Sequence, residues 1–152
     1  MAISIQKAGE NDYQAIVDLT NRAYTVPYKE GGLVTSAFDE VTRIERDIND
    51  GSEIIVAKED NKIIGAIRLR QESKAVVKLF KLAVRPENRR GGVAAQLMEY
   101  SYGFAKNLGC KYIEVDVAKE KLLANYYKKA GFYIVKETPK IKYTEILMRR
   151  DI

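Results

Sequence analysis

The middle of the chain carries the pattern that most restricts its fold, because a strand, a helix and a second strand follow one another. Residues 75–84 form a long β-type run rich in apolar side chains, and residues 91–108 place apolar side chains at helical spacing. Residues 112–117 then form a further strand pattern. A strand–helix–strand unit within one sheet requires a right-handed crossover. The sequence therefore predicts a locally parallel strand pair.

The rest of the chain predicts antiparallel strands and shorter helices, with no repeat and no linker-like segment. Two β-rich runs flank the polar turn Glu59-Asp60-Asn61 and indicate a hairpin. Strands are predicted at 3–7, 53–57, 63–69, 132–135 and 141–148. One helix is predicted to begin after Asn11-Asp12, a second to begin at a capping box at 36–39, and a third to span 122–129. Residues 25–35 are predicted to form a loop. We therefore expect one α/β domain over residues 1–152. Its sheet should be mixed, mostly antiparallel and twisted, with six to seven strands, a locally parallel central pair and about four helices.

Composition excludes several classes of function. The chain has no His, which removes imidazole general bases, Ser-His-Asp catalysis and His-containing zinc sites. Its one cysteine, Cys110, cannot form an intramolecular disulfide or a cysteine-rich metal site, so we expect no metal. The first residues lack the apolar run of a signal peptide and no segment resembles a membrane span, so a cytoplasmic protein is expected. The net charge of +5 favours anionic partners, but no basic, aromatic-rich stripe supports nucleic-acid binding.

The loop between the strand at 75–84 and the helix at 91–108 carries the strongest chemical signal. Gly91 and Gly92 permit close approach of a bulky anion, and the first turn of the helix offers unpaired N–H groups. Arg85, Arg89 and Arg90 add positive charge next to those groups. A pyrophosphate matches such a set of convergent donors. The segment fits neither the dinucleotide fingerprint nor the Walker loop, and a tight solvated turn is the alternative explanation.

Two motifs resemble those of the GNAT superfamily of N-acetyltransferases. Residues 89–94, Arg-Arg-Gly-Gly-Val-Ala, fit the family's Arg/Gln-x-x-Gly-x-Gly/Ala signature and follow a Leu-Ala-Val-x-Pro strand end at 82–86. Residues 127–132 are similar to the Tyr-x-x-x-Gly-Phe that closes the fourth helix of the family. The order of strands and helices around both motifs also resembles a GNAT domain over nearly the whole chain.

The resemblance implies acetyl-coenzyme A (acetyl-CoA) as cosubstrate and assigns roles to individual residues. The Val84 N–H would polarise the acetyl carbonyl, and Tyr127, preferred over its neighbour Tyr126, would protonate the departing thiolate. Main-chain groups of Leu82 and Val84 would bind the pantetheine arm. The residues expected to bind the cofactor are Leu82, Ala83, Val84, Arg89, Arg90, Gly91, Gly92, Val93, Ala94, Ala95 and Tyr127.

The acceptor side is less defined. The resemblance places Tyr24, Tyr28 and Glu30 near an amine acceptor, either a small molecule or a protein or peptide amine, and allows a homodimer. Glu53, Glu114 and Asp116 are candidate proton acceptors, and ordinary solvated side chains are the alternative for Glu114 and Asp116.

Two positions depart from the family pattern. Glu120 stands where many relatives have Asn, and Lys78 lies near the place of a catalytic Glu in protein-lysine acetylating relatives. These departures favour a second hypothesis, a catalytically silent acyl-CoA-binding sensor or interaction protein.

Overall fold

The computed structural model describes residues 2–25 and 39–152, which form one seven-stranded sheet with helices on both of its faces. The strands are β1 Ser4–Lys7, β2 Glu53–Glu59, β3 Lys62–Gln71, β4 Val76–Val84, β5 Tyr112–Ala118, β6 Tyr133–Pro139 and β7 Thr144–Asp151. The helices are α1 Tyr13–Thr25, α2 Val41–Asn49, α3 Val93–Asn107 and α4 Leu122–Lys129, and short 3-10 turns lie at Glu10–Asp12 and Pro86–Asn88. The predicted order of strands and helices is confirmed.

The sheet has the order β1-β2-β3-β4-β5-β7-β6, and only β4 and β5 pair in parallel among the described strands. This confirms the predicted parallel pair, which α3 connects. The β4–β5 register runs from Val76 opposite Tyr112 to Leu79 opposite Val115, although both strands continue beyond those residues. A slit therefore opens between the carboxyl-terminal halves of β4 and β5.

A β-bulge interrupts β4 beside this slit. Ala66 of β3 pairs with Ala83, and Arg68 pairs with Phe80, so two residues of β4 oppose the single residue Ile67. One of the two, Lys81, has a φ of 55°, in the left-handed region that non-glycine residues rarely adopt. Bulges of this kind bend a strand and increase its local twist.

Strand alternation divides the core between the two faces of the sheet. On β2, Ile55 and Ala57 pack with Leu97 of α3, whereas Ile54 and Val56 pack with helices α1 and α2. The sheet is thus covered on both sides at its centre, and the slit between β4 and β5 connects the two faces.

Some boundaries differ from those predicted. Helix α3 begins at Val93, and Ser101 rather than Tyr100 faces the core. Strand β7 spans Thr144–Asp151 instead of 141–148, because Ile146 and Met148 are buried while Ile141 is fully exposed. Thr25, predicted as the first residue of a loop, is the last residue of α1, and the rest of that predicted loop and most of the capping box at 36–39 lie outside the described residues. Within residues 2–25 and 39–152, the helices are too short or too polar to cross a membrane.

Candidate active site

The first turn of α3 presents its backbone N–H groups without a capping side chain. Its N-cap residue, Gly92, has a φ of 82° and makes no side-chain capping hydrogen bond. The space beside Gly92 is open, since a Cβ atom placed there would meet no atom of the described residues within 4 Å. The amides of Val93, Ala94 and Ala95 therefore point, with the positive end of the helix dipole, towards open space.

Not every group expected at this turn faces outward. The Gly91 N–H donates to the Asn88 carbonyl at 3.3 Å, which closes the 3-10 turn before it. The Arg89 guanidinium donates to the carbonyls of Val84, at 3.4 Å, and Ala23, at 3.2 Å, so its side chain fastens the loop to β4 and α1.

The remaining charges around the loop fall into two groups. Arg90 is exposed and has no ion-pair partner in the described part of the chain. Arg22 and Arg85 both contact the Glu87 carboxylate, at 3.0 and 3.3 Å. A hydrogen bond from the Glu87 backbone, together with Arg22 and Arg85, lowers the pKa of the Glu87 carboxyl group.

A cavity of about 180 Å³ lies in the slit where β4 and β5 diverge. This volume corresponds to roughly six water molecules, which is enough for a small acyl group and its sulfur. Its walls are formed by β4, β5 and α4, through Leu79, Phe80, Lys81, Leu82, Val115, Asp116, Leu123 and Tyr127. Of the two β4 residues expected to bind the cofactor arm through main-chain groups, Leu82 lies in this wall and Val84 lies just beyond it.

The main chain of Val84 faces away from β3. The neighbouring Arg85 N–H donates to the Ile64 carbonyl on β3 at 2.9 Å. Because N–H directions alternate along an extended strand, the Val84 N–H points to the opposite edge of β4, on the side of the slit. This orientation leaves it accessible to a group bound between the strands.

Tyr127 and Asp116 give the two sides of the cavity different chemistry. Tyr127 is buried among the residues that pack below α3 and α4, and its ring contacts Phe132 with centroids 5.2 Å apart. Asp116 lies between Val115 and Val117, which face that same core, so its own side chain projects to the other face of the sheet. A phenol thus lines one side of the slit and a carboxylate the other. The neighbouring Tyr126 contacts the Tyr127 ring edge-on. Burial raises the pKa of the Tyr126 phenol.

The three candidate carboxylates occupy different environments. Glu53 pairs with Lys7 at 3.0 Å, on strands away from the cavity. Glu114 accepts hydrogen bonds from Nε, at 2.8 Å, and from Nη2 of Arg149. Asp116 pairs with Lys78 and is the carboxylate among the three that lines the cavity.

Glu120, at the position that departs from the family pattern, accepts a hydrogen bond from the Thr144 N–H at 3.1 Å. That bond is the main cause of its lowered pKa. The side chain therefore connects the end of β5 to the start of β7.

A buried ionic network, which no sequence pattern indicated, lies behind the bulge. Arg68 is 1% exposed and contacts the carboxylates of Asp39 and, at 2.8 Å, Asp47. Asn21 holds the Asp39 backbone from α1, accepting from its N–H at 2.7 Å and donating to its carbonyl at 3.2 Å. Burial lowers the pKa of Lys81, which extends towards these charges.

Of the residues predicted near the acceptor, Tyr28 and Glu30 lie outside the described residues, and for Tyr24 the structure describes the helical backbone only. The described residues contain no group of three or more His, Cys, Asp or Glu side chains arranged to hold a metal ion.

The sequence matches the acetyltransferase (GNAT) family over residues 13–132, a range that contains the α3 turn, the slit and Tyr127. The chain belongs to the GNAT family. The family resemblance and the enzyme class that it implied are thereby confirmed.

Solved structures of GNAT proteins share the fold at low sequence identity. PaiA N-acetyltransferase from Thermoplasma acidophilum, in complex with coenzyme A, has a TM-score of 0.86 and 17% identity and covers 100% of both chains. The ribosomal-protein-S18-alanine N-acetyltransferase from Escherichia coli has a TM-score of 0.80 and 16% identity, over 99% of this chain and 94% of its own. The putative acetyltransferase YncA from Salmonella typhimurium, with its cofactor acetyl-CoA, has a TM-score of 0.78 and 14% identity, over 99% of this chain and 94% of its own. No curated protein matches this chain significantly in sequence.

Proposed function

We propose that this GNAT protein transfers an acetyl group from acetyl-CoA to a primary amine. The observation that carries the proposal is the uncapped first turn of α3 beside a cavity that is lined by both Leu82 and Tyr127. The GNAT match supports acetyl transfer in general, and the similar PaiA and YncA structures contain coenzyme A or acetyl-CoA. The acceptor is a primary amine of a small molecule or of a protein.

The diphosphate of the cofactor would bind at the first turn of α3. The amides of Gly92, Val93, Ala94 and Ala95 supply donors, and exposed Arg90 supplies a full positive charge. Arg89 would act through the backbone, because its guanidinium is engaged with Val84 and Ala23. Gly91 would contribute close backbone approach, since its N–H already donates to Asn88.

The pantetheine arm would lie along β4 where β5 no longer pairs with it. The outward-facing main chain of Val84 and that of Leu82, two residues earlier, would bind the arm, with Ala83 between them. A backbone N–H donor on this edge of β4, either that of Val84 or that of the cavity residue Leu82, would stabilise the oxyanion that develops on the thioester carbonyl.

The reaction would be a direct transfer with balanced proton movement. The neutral amine attacks the thioester carbon, a C–N bond forms, and the C–S bond of the tetrahedral intermediate breaks. Tyr127, on the α4 side of the cavity, would donate a proton to the departing thiolate. The proton lost by the amine would pass to a carboxylate or to solvent on the opposite face. Positioning of the two reactants supplies much of the rate.

Calorimetry with coenzyme A and acetyl-CoA tests the proposal, followed by a thiol-release assay over a panel of amines. Saturable cofactor binding and release of free thiol with at least one amine are expected. Absence of binding by both cofactors would overturn the proposal. Tight binding without turnover over the whole panel would favour the acyl-CoA sensor.

A further inference from the structure

The ion pair between Lys78 and Asp116 lies at the mouth of the cavity, on the face opposite Tyr127. Asp116 is part of the cavity wall, and the Lys78 ammonium contacts its carboxylate across the β4–β5 pair. The Asp116 side chain is 40% exposed and that of Lys78 is 22% exposed. The carboxylate therefore faces both the cavity and solvent.

The two carboxylates of β5 on this face differ in how firmly they are held. Glu114 is 12% exposed and receives two hydrogen bonds from the planar guanidinium of Arg149, which also stacks on the Tyr112 ring. Two hydrogen bonds from one planar guanidinium fix the position of the carboxylate that accepts them. Asp116 instead receives a compact ammonium on a flexible stem, in a partly exposed pair of the kind that contributes little to stability. Another ammonium can therefore replace Lys78 at small cost.

We propose that the Asp116 carboxylate is the binding subsite for the ammonium group of the acceptor, and that Lys78 occupies it until the acceptor arrives. The inference rests on the proposed function and narrows its substrate class to amines that arrive as cations. Among the residues that line the cavity, Phe80 lies on the same face as Asp116, because Leu79, Leu82 and Val115 face the opposite core. The Phe80 ring suits an alkyl carbon next to the ammonium. The subsite thus favours primary alkylammonium groups over carboxylates of similar shape.

Direct binding of n-butylammonium, followed by NMR at the amides of Val115 and Val117, tests this subsite without requiring turnover. Lys78→Met removes the competing ammonium, so butylammonium should bind about two- to fivefold more tightly than to the unmodified protein. Asp116→Asn in the Lys78→Met background should remove that gain and weaken binding further. Butyrate should produce no saturable shift at these amides.

Lys119→Met is the matched control, because it removes an ammonium from an exposed pair with Glu137 of β6, and neither residue of that pair lines the cavity. It should leave butylammonium binding unchanged. Equal affinity of the Lys78→Met and unmodified proteins, no effect of Asp116→Asn, or no saturable binding at all would each overturn the subsite.

Coenzyme A calorimetry on the same samples separates the two proposals. A protein that binds coenzyme A but not butylammonium lacks only the subsite. A protein that binds butylammonium at Asp116 but neither coenzyme A nor acetyl-CoA retains the subsite and is not the proposed enzyme.

Discussion

Gly65 on β3 lies directly against Val93 in the first turn of α3, so that a Cβ atom at position 65 would come within 2.7 Å of Val93 Cγ1. The same atom would lie 3.1 Å from Cδ1 of Leu97, one turn further along the helix. Real Cβ atoms essentially never come as close as 2.7 Å to another heavy atom, and 3.1 Å is tighter than most of their contacts, so α3 packs on the sheet at a distance that suits glycine at position 65. The amides proposed to bind the diphosphate belong to this same turn, and the packing of α3 therefore fixes their position.

Gly65→Ala should lower the free energy of unfolding by about 1–3 kcal/mol, the usual cost of overpacking a core contact. It should also weaken coenzyme A binding, because α3 must move away from the sheet and carry its first-turn amides with it. Urea unfolding and calorimetry measure the two effects. Gly103→Ala is the control, since its Cβ would meet open space within α3 and should stabilise the helix by about 0.5–1 kcal/mol. Unchanged stability and affinity in Gly65→Ala would show that the contact is not tight.

Gly92→Asp should abolish most coenzyme A binding while leaving the protein folded. Asp and Asn both tolerate the left-handed backbone of this position, so Gly92→Asn serves as the control for strain without charge. We expect the Asp variant to bind coenzyme A at least roughly tenfold more weakly than the Asn variant, which corresponds to about 1.4 kcal/mol. The difference should shrink at high salt in calorimetric titrations. Equal affinities would place the diphosphate elsewhere.

Tyr127→Phe should reduce kcat by roughly 10²-fold with little change in cofactor affinity, because only proton donation to the thiolate is lost. The assay follows thiol release with an amine that the panel identifies as an acceptor. Tyr126→Phe is the matched control, since Tyr126 packs on Tyr127 but lies outside the cavity wall. Similar kcat values for the two variants would remove Tyr127 from the role of acid.

Local patterns account for what the sequence predicted well. Alternating apolar residues specify the strands, and the strand–helix–strand order specifies the parallel pair on physical grounds. Gly92 marked the turn before α3 because its position has a left-handed backbone.

Non-local pairings account for what the sequence could not predict. Arg68 sits among apolar residues of β3, and its partner Asp39 is 29 positions away, so no periodic pattern indicates that both are buried. The bulge at Lys81 has no sequence signal, because lysine is an unusual residue for a positive φ. The Asp116–Lys78 pair depends likewise on strand register, which is set by the whole sheet.

Arg68→Met should destabilise the protein by about 3–5 kcal/mol, because it leaves the buried Asp39 carboxylate without its cation. Urea unfolding measures the loss. Adding Asp39→Asn to that variant should recover part of it by removing the uncompensated charge. Lys7→Met, which breaks the exposed pair with Glu53, should not change stability measurably. A loss in Arg68→Met no larger than that in Lys7→Met would contradict a structural role for the network.

Lys81 should make stability rise with pH in the alkaline range. Burial lowers its pKa below the ordinary value of 10.5, Asp39 opposes the shift, and Arg68 and Arg43 reinforce it. Between the folded and unfolded pKa values the unfolded chain holds more protons at this site, so raising the pH through that window favours the folded state. Other lysines and tyrosines titrate there as well, and the informative quantity is the difference from Lys81→Met, which has no amine. As the pH is raised through the alkaline range towards 10.5, the ordinary pKa of lysine, the free energy of unfolding of the unmodified protein should increase relative to that of Lys81→Met. A difference that stays constant or falls over this range would mean that folding does not lower the pKa of Lys81.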